Sequence, residues 1–135
     1  MKAMPTIQKF MTTMPHSIGA EQTLAKAEGF MREYKIRHLP VLKGGKLVGI
    51  LTDRDVALVE TLKGVDPKKM TVEEAYSPEP YFTEPSAKLD EVVEMMAEKK
   101  YGCVLVMDNH KLVGIFTWVD ALNAMSELLN QRFHH

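Results

Sequence analysis

Residues 6–58 align with residues 71–123 at a constant offset of 65 without a gap, and fourteen of the aligned positions are identical. Ordinary composition gives about three matches over such a span, so the chain is an internal duplication. The identities cluster. Leu47-Val48-Gly49-Ile50 returns as Leu112-Val113-Gly114-Ile115, and Thr52 and Asp55 return as Thr117 and Asp120. Two copies are too few for a solenoid, so the expected arrangement is a pseudo-twofold pair that buries its sheets between the repeats.

Within each copy the same signals follow in the same order, and they read as β-α-β-β-α, an α+β fold. Thr23 can cap a helix whose apolar positions Leu24, Ala27, Phe30 and Met31 recur at three- and four-residue spacing, predicting a helix to about Tyr34. Strands are expected at Leu39–Leu42 and Leu47–Leu51, joined by a Gly44-Gly45 turn, and a helix opening at Thr52 or Asp53 is expected to run through Leu62. In the second copy the counterparts are a helix over Leu89–Lys99, strands at Val104–Met107 and Leu112–Phe116 around an Asp108-Asn109 turn, and a helix to about Leu129. Gly64-Val65-Asp66-Pro67 separates the copies, and Thr71 and Glu74 have the spacing of a capping box that can open a short helix to Tyr76. The organisation read from this pattern is a first repeat at 1–64, a linker at 65–70 and a second repeat at 71–135.

Composition narrows the function. With 135 residues, 45% apolar, the chain is large enough for a core. The formal net charge is -1 and the basic residues are interspersed with acids, so no basic stripe offers itself to nucleic acid. No apolar stretch approaches the roughly 18–20 residues that cross a bilayer. A single cysteine, Cys103, precludes an intramolecular disulfide, and no charged-then-apolar leader is read at the start, so the expected location is the cytoplasm. Met31, Met95, Met96 and Met125 sit at helical spacing and read as gap-filling core residues, and no His or Cys pairs stand at metal-ligand spacing. No Walker-type loop and no Cys-His or Ser-His-Asp context is present, so the chain is read as having no enzymatic activity.

The chemistry is concentrated where the second long strand of each copy meets its second helix. There the sequence carries Gly-Ile-x-Thr-x-x-Asp, as Gly49-Ile50-Leu51-Thr52-Asp53-Arg54-Asp55 and Gly114-Ile115-Phe116-Thr117-Trp118-Val119-Asp120. Two readings fit. Threonine and backbone amides at such a junction can hold a phosphate or sugar oxygen, with the Asp accepting the hydroxyls of a ribose. Alternatively, Thr-x-x-Asp is an ordinary helix cap.

The pattern resembles the CBS domain, named from cystathionine β-synthase, in tandem over nearly the whole chain. The likeness rests on Ile36-Arg37-His38-Leu39-Pro40-Val41, on Lys46-Leu47-Val48-Gly49-Ile50-Leu51-Thr52-Asp53-Arg54-Asp55, and on their counterparts in the second copy. It implies a CBS pair of two βαββα units with two clefts for adenosyl ligands such as AMP, ADP, ATP or S-adenosylmethionine, and no obligatory cofactor. By the same resemblance one cleft joins Ser17, Ile18, Ile36, Arg37 and His38 to Thr117 and Asp120. The other joins Phe82, Thr83, Tyr101, Gly102 and Cys103 to Thr52, Arg54 and Asp55.

Arg54 can face a phosphate as a fork of donors where Val119 cannot, so the clefts are expected to differ in phosphate affinity, with Arg37 able to compensate in the first; solvated surface charge is the plainer reading of both arginines. The second copy departs from the family pattern at Leu105, which stands where the first has Pro40, and at Trp118, which stands where the first has Asp53. Trp118 can stack on a base or simply plug the cleft. His38 aligns with Cys103, so neither reads as a duplicated metal ligand.

The resemblance further implies a homodimer and a regulated effector on a separate polypeptide. Leu122, Met125, Leu128 and Leu129 on the last helix form an apolar face for a partner or for the chain's own core. The competing expectation is a scaffold that dimerises or docks with its clefts empty. No role is placed on His134-His135.

Overall fold

The structure, a computed structural model, describes residues 3–13, 16–78 and 81–134. In chain order its strands and helices are β1 (Thr12–Thr13), β2 (Ile18–Gly19), α1 (Leu24–Tyr34), β3 (His38–Lys43), β4 (Lys46–Thr52), α2 (Asp53–Glu60), β5 (Ser77–Pro78), β6 (Phe82–Thr83), α3 (Leu89–Lys99), β7 (Cys103–Asp108), β8 (Lys111–Thr117) and α4 (Trp118–Phe133). The order β2-α1-β3-β4-α2 returns as β6-α3-β7-β8-α4, the βαββα unit expected twice.

These elements fall into two compact units, His16–Pro80 (the first unit) and Tyr81–His135 together with Met1–Pro15 (the second unit). The first contains a sheet in the order β2-β3-β4-β5 and the second a sheet in the order β1-β8-β7-β6. In each, the leading short strand runs parallel to the first long strand, and the two long strands form an antiparallel hairpin.

The units cut the chain about ten residues later than the sequence repeat does, and the reason is an exchange of leading segments. The stretch that opens the second repeat closes the first unit: Val72 N–H bonds Gln22 O, Glu73 N–H bonds Ala20 O, Val72 is fully buried there, and β5 pairs with β4. The stretch that opens the first repeat closes the second unit in the same way, through Ile7 N–H to Ala87 O, a fully buried Ile7, and β1 on β8. Residues 65–70 are part of this packing. Leu24 N–H bonds Met70 O, Ala25 N–H bonds Pro67 O, and Val65 and Met70 lie against the first unit's core.

The recurring glycine of the strand motif has a packing cause. A Cβ on Gly49 would strike the Ser77 carbonyl and the Tyr76 ring, and one on Gly114 would meet the Met11 sulfur at 2.5 Å and the Thr12 carbonyl at 3.0 Å. Only a residue without a side chain lets the edge strand approach. Leu105 in place of Pro40 also has a local consequence, because its N–H donates to Tyr81 O at 2.9 Å, a bond proline has no N–H to make.

Several boundaries differ from the sequence reading. Helix α2 stops at Glu60 rather than Leu62, because Thr61 and Leu62 turn back to Leu58 O and Val59 O in a tighter 3-10 pattern before Gly64 at φ 79°. The Thr71 capping box forms, but over a 3-10 turn at Val72–Glu74. The second hairpin reverses at Asn109 and His110, both with positive φ, and α4 continues to Phe133 because nothing in Asn130-Gln131-Arg132 interrupts it.

Candidate functional site

At the end of β4 the chain turns directly into α2, and Thr52 is the cap. Its Oγ1 accepts the Asp55 N–H at 3.1 Å, while Asp55 Oδ2 accepts the Thr52 N–H at 2.9 Å. The β8–α4 junction repeats this reciprocal box: Asp120 N–H to Thr117 Oγ1 at 3.2 Å, and Thr117 N–H to Asp120 Oδ2 at 2.8 Å. The capping reading of Thr-x-x-Asp is therefore realised in both copies. One box still leaves each carboxylate further acceptor capacity, since an ionised Asp offers about four lone-pair sites.

Sheet register decides what stands beside each box. His38 lies opposite Thr52 on the β3–β4 pair, and Asp53 N–H donates to Arg37 O at 3.0 Å. The first unit thus gathers Arg37, His38, Thr52, Asp53, Arg54 and Asp55 at one strand end. In the second unit Cys103 lies opposite Thr117 and Trp118 N–H donates to Gly102 O at 3.1 Å, so the same places hold Gly102, Cys103, Thr117, Trp118, Val119 and Asp120. Ser17, Ile18 and Ile36 belong to the first unit, and Phe82, Thr83 and Tyr101 to the second. The sets that the resemblance pairs across repeats thus belong to different units.

Side-chain exposure separates the candidates. Ile18 is 3% exposed and sits in the first unit's core, so a ligand contact there uses backbone. Phe82, Tyr101 and Trp118 are 54%, 41% and 47% exposed, large apolar faces that the core does not account for. Tyr101 stacks on Tyr81 with ring centroids 5.3 Å apart.

The junctions also differ electrostatically. Burial lowers the His38 pKa, an effect opposed by Asp53, reinforced by Arg37 and opposed again by Asp55, so the imidazole is held toward its neutral form. Cys103 occupies the equivalent place, and burial pushes its thiol up to about 12. Among the described residues no group of three or more His, Cys, Asp or Glu could hold a metal ion.

Two participants escape a reading of the sequence. Thr12 Oγ1 donates to Asp120 Oδ1 at 3.2 Å, and Tyr81 supports Tyr101. Thr12 lies outside the strand-to-helix motif, and Tyr81 aligns with His16, which stacks on Tyr34 instead. Neither is signalled by local spacing.

The CBS domain model matches residues 7–60 and again residues 72–127. The chain belongs to the CBS-domain family. The CBS domain-containing protein YhcV of Bacillus subtilis is 33% identical over 124 residues, covering 91% of this chain and 88% of the relative. Hypoxic response protein 1 of Mycobacterium tuberculosis is 32% identical over 125 residues, covering 92% and 87%.

An inosine-5'-monophosphate dehydrogenase of Korarchaeum cryptofilum is 29% identical over 120 residues, but these make up only 24% of that enzyme. Among solved structures, Hypoxic Response Protein I with two coordinated zinc ions superposes with a TM-score of 0.76 at 32% identity, covering 88% of this chain and 98% of that one. Two CBS structures share the fold at 24% identity. CBSX2 in complex with AMP has a TM-score of 0.78, with 91% and 97% covered. The CBS domain pair of MJ0100 with 5-methylthioadenosine and S-adenosyl-L-methionine has a TM-score of 0.83, with 93% and 98% covered.

Proposed function

We propose that this CBS-domain chain is a regulatory module that binds an adenosyl ligand of the AMP, ADP or ATP type, senses its level and modulates a separate effector protein in the cytoplasm, without catalysing a reaction itself. The observation that carries the reading is the Thr-x-x-Asp box formed at the strand-to-helix junction of both units, with exposed polar or aromatic groups set around each box and acceptor capacity left on each Asp. Family membership supports it, as does the fact that two proteins of the same fold hold AMP or S-adenosylmethionine. Such a ligand acts by preferring one setting of the protein over another and so changing the surface an effector meets.

The test is a thermal-shift and calorimetric panel with AMP, ADP, ATP, NAD, S-adenosylmethionine and GTP. A ligand that binds only the folded state raises the melting temperature. Stabilisation by adenosyl compounds but not by GTP, weakened at least about tenfold in affinity by Asp55→Asn or Asp120→Asn, is the expected result; asparagine keeps an oxygen for the cap while removing the charge. No shift with any compound at millimolar concentration overturns the reading.

A second reading, a dimerising scaffold with empty clefts, is favoured by one feature of α4. Leu128 turns to the core, as do Ala121 and Ala124, while Trp118, Leu122, Met125, Leu129 and Phe133 stay exposed on one stripe. An isologous interface needs a self-complementary patch, and this stripe reads aromatic-Leu-Met-Leu-aromatic in both directions. A Leu122→Glu/Met125→Glu chain that elutes as a monomer where the parent elutes as a dimer supports homodimerisation through α4.

A further inference from the structure

The two boxes share a backbone geometry, but their carboxylates are differently occupied. Among the described residues the Asp55 side chain accepts one hydrogen bond, at Oδ2 from the Thr52 N–H at 2.9 Å. Asp120 accepts three. Its Oδ2 takes the Thr117 N–H at 2.8 Å and the Thr117 hydroxyl at 3.2 Å, and its Oδ1 takes the Thr12 hydroxyl at 3.2 Å. Thr117 belongs to the box itself, whereas Thr12 comes from edge strand β1, 108 positions away.

An ionised carboxylate has about four lone-pair sites, two on each oxygen. While the box is intact the Thr117 bonds fill Oδ2. A ribose diol that donates both hydroxyls to Asp120 must then place them on Oδ1, where Thr12 already holds one of the two sites. Thr12 is the partner free to leave. The Thr117 hydroxyl is held within the box, because it also accepts the Asp120 N–H at 3.2 Å. Thr12 is exposed, so water replaces Asp120 as the acceptor of its hydroxyl and no buried polar group is left unpaired. Asp55 receives the same diol with no hydroxyl to displace, since among the described residues its Oδ1 accepts nothing.

We propose that Thr12 is an intramolecular competitor for the ribose at Asp120: β1 docked through Thr12 lowers the affinity of that junction for a ribosyl ligand, and a bound ribose loosens β1. This rests on the adenosyl reading and adds to it a regulation of one junction. Linkage makes the two effects reciprocal. Strand β1 is the last element before the chain passes from the second unit into the first, so occupancy of Asp120 is felt at that crossing. The corresponding edge strand of the first unit, β5, makes no side-chain bond to Asp55 among the described residues.

The experiment is calorimetric titration of the full chain with AMP and with its dideoxy analogue, which lacks both ribose hydroxyls. An Asp55→Asn background confines tight binding to the Asp120 junction. Adding Thr12→Val to that background tightens AMP by about two- to tenfold, the worth of one such hydrogen bond, and brings the dideoxy analogue no gain. Thr12→Ser keeps the hydroxyl and leaves AMP affinity at the background value. A cooperative melting transition in each variant confirms folding. AMP affinity unchanged or weakened by Thr12→Val, or the analogue tightened as much as AMP, overturns the competition while leaving the adenosyl reading standing. So does AMP binding by the parent that disappears altogether in Asp55→Asn, which would leave Asp120 without a ligand. No binding of AMP by the parent chain at millimolar concentration overturns both.

Discussion

Thr12 and Asp120 are hydrogen-bonded at 3.2 Å, a contact that fastens edge strand β1 to the first turn of α4 across 108 positions of sequence. It is local to one half. Ser77 occupies the register place of Thr12 in the first unit, Ser77 facing Ile50 as Thr12 faces Ile115, and among the described residues no hydrogen bond joins Ser77 to Asp55. Thr12→Val is therefore expected to lower unfolding free energy by about 0.5–1 kcal/mol, the ordinary worth of one such bond. Ser77→Ala is expected to change it by less than about 0.5 kcal/mol, as for surface positions without a special contact. Urea unfolding of the two variants beside the parent measures the difference, and equal losses would show that the Thr12 bond does no more than its counterpart.

Cys103 is the sole thiol, and its pKa is pushed up to about 12 by burial opposite Thr117. An unperturbed cysteine near 8.5 is roughly a quarter thiolate at pH 8, whereas one near 12 is about one part in ten thousand. Alkylation by iodoacetamide at pH 8 should be at least about a thousandfold slower in the native chain than in urea. A native rate within tenfold of the unfolded one would place the thiol in water.

The strands and helices were largely legible because their causes are local. Leu24, Ala27 and Met31 keep helical spacing, Thr23 accepts Lys26 N–H as a cap, and Leu39, Val41 and Leu51 are buried where the pattern puts them. The exchange of leading segments was not legible, since it depends on Ile7 and Val72 filling the cores of units built mainly from the other repeat. The candidate site was half legible. Duplication marked Thr52, Asp55, Thr117 and Asp120, but the pairing of His38 with Thr52 and the bond from Asp53 N–H to Arg37 O follow from hairpin register, which no spacing within either motif encodes.

His38 gives the stability curve a readable feature. Burial lowers its pKa in the folded chain, so below the unfolded value near 6.5 the unfolded state takes up the proton first. The stability associated with the neutral imidazole is complete above that pH and is lost as pH falls toward the folded pKa. Between pH 7 and pH 5 the parent should lose more melting temperature than His38→Gln, in which this titration is absent. Parallel curves for the two chains would mean that His38 titrates alike in both states.

Helix α1 places its glycine and its lysine in each other's favoured positions. Gly29 lies inside the helix, where a Cβ would meet nothing within 4 Å, and Lys35 ends it at φ 55°, in the left-handed region that glycine enters without a Cβ clash. Ile36 N–H and Lys35 N–H both return to Met31 O, so that left-handed turn is fixed by the hydrogen bonding. Gly29→Ala is expected to stabilise the chain by about 0.5–1 kcal/mol through helix propensity, and Lys35→Gly by about 0.5–1 kcal/mol through relief at the cap. Lys100, at φ 60° after α3, should respond to glycine as Lys35 does. Denaturant midpoints of the three single variants provide the check, and a loss of stability in both lysine variants would show that the lysine side chains contribute more than the strained backbone costs.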